Sequence, residues 1–217
     1  MADQRHSPCI RNGRDIFEQF CKDTGINWCN SVSLFDHHNV VDQMPKKDAI
    51  QVGVHLDHMN DHCSILLSYG FAHRQEAFDA NHKGYEMIAL LDGYIFTDVL
   101  RNPVADISVY QDNWMRHLCE DCIVIGITGD KGQAAHILDK PCILFDDKED
   151  NLLQVIQARQ GNEACHVQLS RKFAHQWQYQ AQGLFHVSTS VGEWIHLSQQ
   201  FRDAHQALPH PHQALRK

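Results

Sequence analysis

The chain lacks any apolar run long enough to cross a bilayer. Its hydrophobic stretches are broken by charge or glycine well short of the roughly 20 residues that a helical span needs, so no membrane partner is expected. The opening MADQRHSPCIRNGRD has no apolar core of the kind that marks a secretory leader, and the expectation is a reducing, cytoplasmic setting. There is no dense stripe of lysine and arginine. With 19 basic against 27 acidic side chains the formal charge is -8, which argues against nucleic acid as a partner. Cys119 and Cys122 form one CEDC, but no second pair at matching spacing completes a structural zinc site, and the acids Glu120 and Asp121 between them disfavour a reactive thiolate. TGDKGQ holds glycine and lysine without the spacing of a nucleotide-binding P-loop.

What is present points to a folded globule. A length of 217 residues with 43% hydrophobic side chains supports one substantial core. The division expected is a single α/β domain over residues 1–205, with core motifs at 31–158, and a loose tail at 206–217 that carries the two prolines of LPHPHQALRK. Eight cysteines are scattered through a chain too large to need disulfide staples. Several, such as Cys63 and Cys142, sit inside apolar runs, where a free thiol behaves as a small hydrophobe. The 17 histidines make the net charge shrink as pH falls below about 6.5.

Periodicity orders the elements. Residues 14–26 place Ile16, Phe17, Phe20 and Cys21 on one face of an N-terminal helix. SVSLF reads as the first strand, followed by a polar turn around Pro45 and its two lysines, then a helix over 48–61 with Ile50, Val54 and His58 at helical spacing. CSILLSY at 63–69 is the second strand, 72–90 a polar helix-like segment, and GYIFTDV at 93–99 the third strand. Residues 100–121 show no clear period. CIVIGIT stops at Gly129, KGQAAHIL forms a helix that Pro141 closes, and CILFDD is the fifth strand. ACHVQLS and LFHVS add further strands, and a closing helix begins in a capping box from Ser190 to Glu193. Strands rich in Val, Ile, Leu and Phe alternating with helices define a mostly parallel, Rossmann-like sheet flanked by helices. Ligands of such sheets bind beyond the carboxyl ends of the strands, where Asp36, Ser68, Thr97 and Asp146 emerge.

Two of those strand ends stand out, SLFDHH and ILFDDK. Each delivers aspartate to the edge of a sheet, Asp36 in one and the pair Asp146 and Asp147 in the other, and brought together they supply the oxygen ligands that Mg2+ prefers.

Taken in order, VSLFDHHNVV, ILLSY, GDKGQAAHIL and ILFDDKEDN resemble the four motifs of the haloacid dehalogenase-like (HAD-like) phosphohydrolases across residues 31–158. The resemblance implies a HAD-like sheet with a small or absent cap, since the stretch between Asp36 and Ser68 leaves little room once its helix is placed. It implies a magnesium-dependent phosphatase acting on a phosphorylated substrate, small or macromolecular. Asp36 would be the nucleophile that forms an aspartyl phosphate. Ser68 would hydrogen-bond a phosphoryl oxygen and Lys131 would screen charge as the two anions approach. Asp36, Asp146 and Asp147 would hold the metal.

The first motif departs from the family pattern. His38 stands where hydrolytic members carry a second aspartate, the general acid and base, and Asn39 stands where glycine is common. An imidazole can donate and accept protons near neutral pH, but its reach differs from that of a carboxylate. Two further readings are therefore open: a catalytically weakened relative kept for binding, and a zinc module built on His55, His58 and His62 with Asp57 and Asp61 between them. Single residues also have plainer explanations. Asp147 would serve as a helix N-cap, Ser68 as a turn residue and Lys131 as a solvated surface lysine.

Overall fold

The computed structural model describes residues 30–69, 84–97, 123–127, 130–167, 184–187 and 191–206. The expected helix at 14–26, the segment 100–121, Cys119 and Cys122, the cap residue Ser190 and the tail lie outside these residues.

Among the described residues, seven strands run β1 (Ser31–Phe35), β2 (His62–Tyr69), β3 (Gly93–Thr97), β4 (Ile123–Ile127), β5 (Cys142–Asp146), β6 (Glu163–Val167) and β7 (Leu184–Val187). Helices α1 (Lys46–Asp57), α2 (Tyr85–Ile88), α3 (Lys131–Leu138), α4 (Glu149–Ala158) and α5 (Val191–Gln206) lie between and after them. The sheet order is β4-β3-β2-β1-β5-β6-β7, and every neighbouring pair is parallel. The chain moves outward from β1 to β4, then returns across the sheet to β5 on the other side of β1. That reversal opens a crevice between the carboxyl ends of β1 and β5, the place where sheets of this kind receive ligands.

Strand alternation sorts the core into two layers. Val32 and Leu34 of β1, Ile65 and Leu67 of β2, and Cys142 and Leu144 of β5 meet α3 and α4 on one face. Phe35, Leu66, Tyr94, Ile143 and Phe145 meet α1, α2 and α5 on the other. There Phe35, Phe145 and Trp194 stack with ring centroids 4.8, 5.9 and 5.3 Å apart. Beneath α5 lies a buried polar chain. Both ring nitrogens of His62 are hydrogen-bonded, to the Ser31 hydroxyl at 2.7 Å and the Ser33 hydroxyl at 2.9 Å, and the Ser33 hydroxyl donates to Ser198 at 3.0 Å. Burial, then the charge of Arg202 and His205, pushes the His62 pKa down to about 4. Cys63, Cys142 and Cys165 are free, buried thiols, as expected of a reduced core.

Several sequence boundaries shift. The first helix begins at Lys46 with Pro45 at its N-cap, not at residue 48, and it ends at Asp57 rather than 61. Its buried face is Ala49, Val52, Gly53 and Leu56, whereas Ile50 and Val54 are 42% and 43% exposed. The small residues turn inward because α1 lies so close to α2 and the turn after it: a Cβ on Gly53 would meet Met87 Cα at 3.3 Å and Leu90 Cδ1 at 2.8 Å. Of the helix expected over 72–90, the described part holds one short helix, α2. Between β1 and β2 the chain forms a single 3-10 turn, Val41–Gln43, and α1, so nothing cap-sized is inserted there.

Candidate acid and lysine site at the sheet switch point

Asp36 follows Leu34 on the α3 and α4 face of β1, and its backbone N–H still donates to the Phe145 carbonyl at 2.9 Å, so the carboxylate is held in ladder register. Asp146 ends β5 on the same face. Lys131 reaches both from the first turn of α3: its Nζ donates at 2.6 Å to Asp36 Oδ1 and at 2.6 Å to Asp146 Oδ2. All three residues are buried, Lys131 completely. A cation at a helix N-terminus opposes the helix dipole. Here two carboxylates outweigh that cost, and the capping box of Asp130 and Gln133 fixes the helix start. Burial alone would lower the Lys131 pKa, but Asp36 and Asp146 overcome it and raise it, so the ammonium stays charged.

The two aspartates are held differently. Asp146 also accepts from the Lys148 backbone N–H at 2.8 Å and from Asn151 Nδ2 at 3.1 and 3.0 Å, which fixes both oxygens. Asp36 has Lys131 as its side-chain donor and keeps a small solvent contact, with 7% side-chain exposure. Burial, partly offset by Lys131 and reinforced by Asp146 and Asp147, pushes the Asp36 pKa up to about 6. The third acid, Asp147, accepts from Asn39 Nδ2 at 2.9 Å, a bond that ties the loop after β1 to the loop after β5. Candidate ligand oxygens of Asp36, Asp146 and Asp147 lie within 4.8 Å of one another. Three carboxylates against one ammonium leave the cluster with excess negative charge, and an all-oxygen set of this size fits a hard divalent cation.

The structure brings together four of the six residues singled out from the sequence, Asp36, Lys131, Asp146 and Asp147. Ser68 takes the other side. Alternation along β2 puts it with Leu66 on the α1 and α5 face, its hydroxyl buried without a hydrogen-bond partner. Tyr69 occupies the site face instead. Its ring centroid is 5.3 Å from Lys131 Nζ, and its hydroxyl donates to Asn151 Oδ1 at 3.3 Å. Thr97, in register with Tyr69, shares that face and is buried. His38 is 58% exposed, with its Nδ1 3.8 Å from Asp42 Oδ2.

The plainer readings of two residues fail. Asp147 is not a helix cap, because α4 starts after Lys148 with no side-chain cap bond. Lys131 is not at the surface. The zinc set His55, His58 and His62 does not assemble: His55 bonds Gln199 at 2.6 Å, His58 lies beside Asp57 at 3.7 Å, and His62 is buried against Ser31 and Ser33. Asn39 has a left-handed backbone, with φ of 59°, and asparagine is among the residues that tolerate that conformation. Tyr69 and Asn151 escaped the sequence reading. Asn151 left a signal, a polar residue on the inward stripe of α4 beside Leu152 and Val155.

Fold and site together define a parallel α/β protein with a buried acid and lysine cluster at its topological switch point. No protein-family model matches the chain, no curated protein matches it, and no solved structure matches it.

Proposed function

We propose that the chain is a HAD-like, magnesium-dependent phosphohydrolase in which Asp36 is the nucleophile. The observation that carries this reading is Lys131, buried and 2.6 Å from both Asp36 and Asp146, with Asp147 completing an oxygen set around the same point. Mg2+, when bound by Asp36, Asp146 and Asp147, would neutralise the acids and the incoming phosphate. Asp36 carries fewer hydrogen bonds than Asp146 and keeps a small solvent contact, which suits it to attack. Its carboxylate oxygen forms a bond to phosphorus as the bond to the leaving oxygen breaks, and water then releases phosphate from the aspartyl ester. Lys131 offsets the repulsion between the carboxylate and the phosphoryl group. Tyr69 and Asn151 keep the lysine and Asp146 in place. With Ser68 facing away, the phosphoryl oxygen it was expected to bind has Thr97 as the buried hydroxyl on the site side of the sheet.

Leaving-group protonation is the weak step. His38, exposed and beside Asp42, supplies an imidazole where a carboxylic acid is expected, so turnover is slow and His38→Asp accelerates it. A second reading, in which the site binds a phosphorylated ligand without turnover, is favoured by the exposure of His38 to solvent.

The test is calorimetric titration with Mg2+ alongside hydrolysis of p-nitrophenyl phosphate by wild type, Asp36→Asn and His38→Asp. The expected result is one magnesium site, slow magnesium-dependent hydrolysis that vanishes in Asp36→Asn, and faster hydrolysis in His38→Asp. Because protons compete for Asp36, affinity for Mg2+ falls about tenfold between pH 7 and pH 5, following the pKa near 6. Magnesium binding without hydrolysis in any form supports the binding reading. Absence of magnesium binding removes both.

A further inference from the structure

The loop that leaves β1 gathers a second group of ligating atoms, distinct in chemistry from the three acids. We propose that His37, His38 and Asp42 form a site for a zinc-class transition metal ion. The candidate ligand atoms of the three residues lie within 4.8 Å of one another. The two imidazoles meet edge-on, with ring centroids 4.9 Å apart and planes at 85°. Two imidazoles that share a tetrahedral ion, with metal to nitrogen bonds of about 2.0–2.1 Å, hold their ring centres roughly 5 Å apart, so the observed pair already has the required separation.

The loop is folded to present them together. Val40 and Asp42 both return backbone N–H groups to the His37 carbonyl, at 3.4 and 3.0 Å, so the chain curls over His37 and carries Asp42 back towards it. The left-handed backbone at Asn39 makes this curl tight. Burial is graded across the set: His37 is fully buried, Asp42 has a side-chain exposure of 19% and His38 of 58%. An ion would therefore enter from solvent past His38 and settle against His37. Ligand atoms around a tetrahedral zinc ion sit about 3.3 Å apart, given the bond lengths above. The 3.8 Å between His38 Nδ1 and Asp42 Oδ2 needs only a small rotation of an exposed ring to close.

Ligand type separates the two sites. Imidazole nitrogens suit zinc, copper, nickel and cobalt, whereas magnesium prefers oxygen alone. Three protein ligands leave one position for water, the open geometry that separates such sites from closed structural ones. None of the three residues belongs to the acid and lysine cluster; His38 is shared with the phosphohydrolase reading as its leaving-group acid, so the test reads metal binding and not hydrolysis.

The experiment strips the full-length protein with chelator and titrates Zn2+ against a chromophoric competitor in excess Mg2+, with a parallel Co2+ titration read in the visible range. Wild type should take up one tight equivalent of zinc, and its cobalt form should show the strong visible bands of a tetrahedral site. His38→Ala and Asp42→Asn, both at solvent-accessible positions, should each weaken zinc binding by at least about tenfold, the loss already typical of removing an outer partner of a metal ligand. Both should keep the wild-type far-ultraviolet circular dichroism. His58→Ala and Asp36→Asn should retain the tight equivalent. The proposal is overturned if wild type binds no tight zinc, if His38→Ala and Asp42→Asn bind as well as wild type, or if Asp36→Asn is the variant that loses the ion.

Discussion

Replacing Lys131 by methionine keeps most of the side-chain volume and removes only the charge, which isolates what the ammonium does. Two carboxylates with almost no access to water would then face each other without their shared cation. Removing one partner of a buried ion pair costs about 3–5 kcal/mol, because the charge left behind is uncompensated. With a urea slope of about 2 kcal/mol/M, the midpoint should fall by roughly 1.5–2.5 M at pH 8. The loss must depend on pH. In the native protein the Asp36 pKa is raised to about 6, so ionised Asp36 opposes folding, and stability declines as pH rises from about 4 through 6. Without Lys131 that pKa rises further and the decline extends to higher pH. At pH 5, where native Asp36 is largely protonated in both proteins, the difference between them should shrink to less than half its value at pH 8. Paired urea melts of wild type and Lys131→Met at the two pH values make the measurement. Equal losses at pH 5 and pH 8 would show that the methionine merely packs badly, and the electrostatic account of the site would be wrong.

Gly132→Ala should destabilise the protein even though alanine favours a helix by about 1 kcal/mol. A Cβ there would sit 2.7 Å from the Gln154 carbonyl oxygen, so α3 must move off α4 and take Lys131 with it. A net cost of about 1–2 kcal/mol lowers Tm by roughly 2–8 °C in a thermal melt, and a rise in Tm would contradict the close packing. His62, whose folded pKa is lowered to about 4, contributes stability that is complete above about pH 6.5 and is lost as pH falls towards 4, by up to about 3 kcal/mol. Urea midpoints of wild type and His62→Asn across that range should converge on acidification, and parallel curves would refute the assignment.

Much of the fold was legible because its signals are local. Apolar β-prone runs bounded by polar breaks marked strands such as SVSLF and CILFD to within a residue or two, and Gly129 and Pro141 bracketed α3. The inward face of α1 was misread because hydrophobicity pointed to Ile50 and Val54, while the close approach of α2 selected Gly53 and its small neighbours. Ser68 was misplaced for a related reason. Its position at a strand end is written in the sequence, but which face it shares with Asp36 depends on the register between β1 and β2.

Sequence alone determined that aspartates would terminate two apolar strands and that a lysine would open the helix before the second of them, since strand length and helix start are set by neighbours along the chain. Only the tertiary structure decided that those residues meet. The return of the chain across β1 to β5 sets Asp36 beside Asp146, and burial of α3 against the sheet drives Lys131 between them. The same packing turns Tyr69 to the site face and Ser68 to the other, because a strand's alternation becomes inside or outside only when a second layer covers one of its faces.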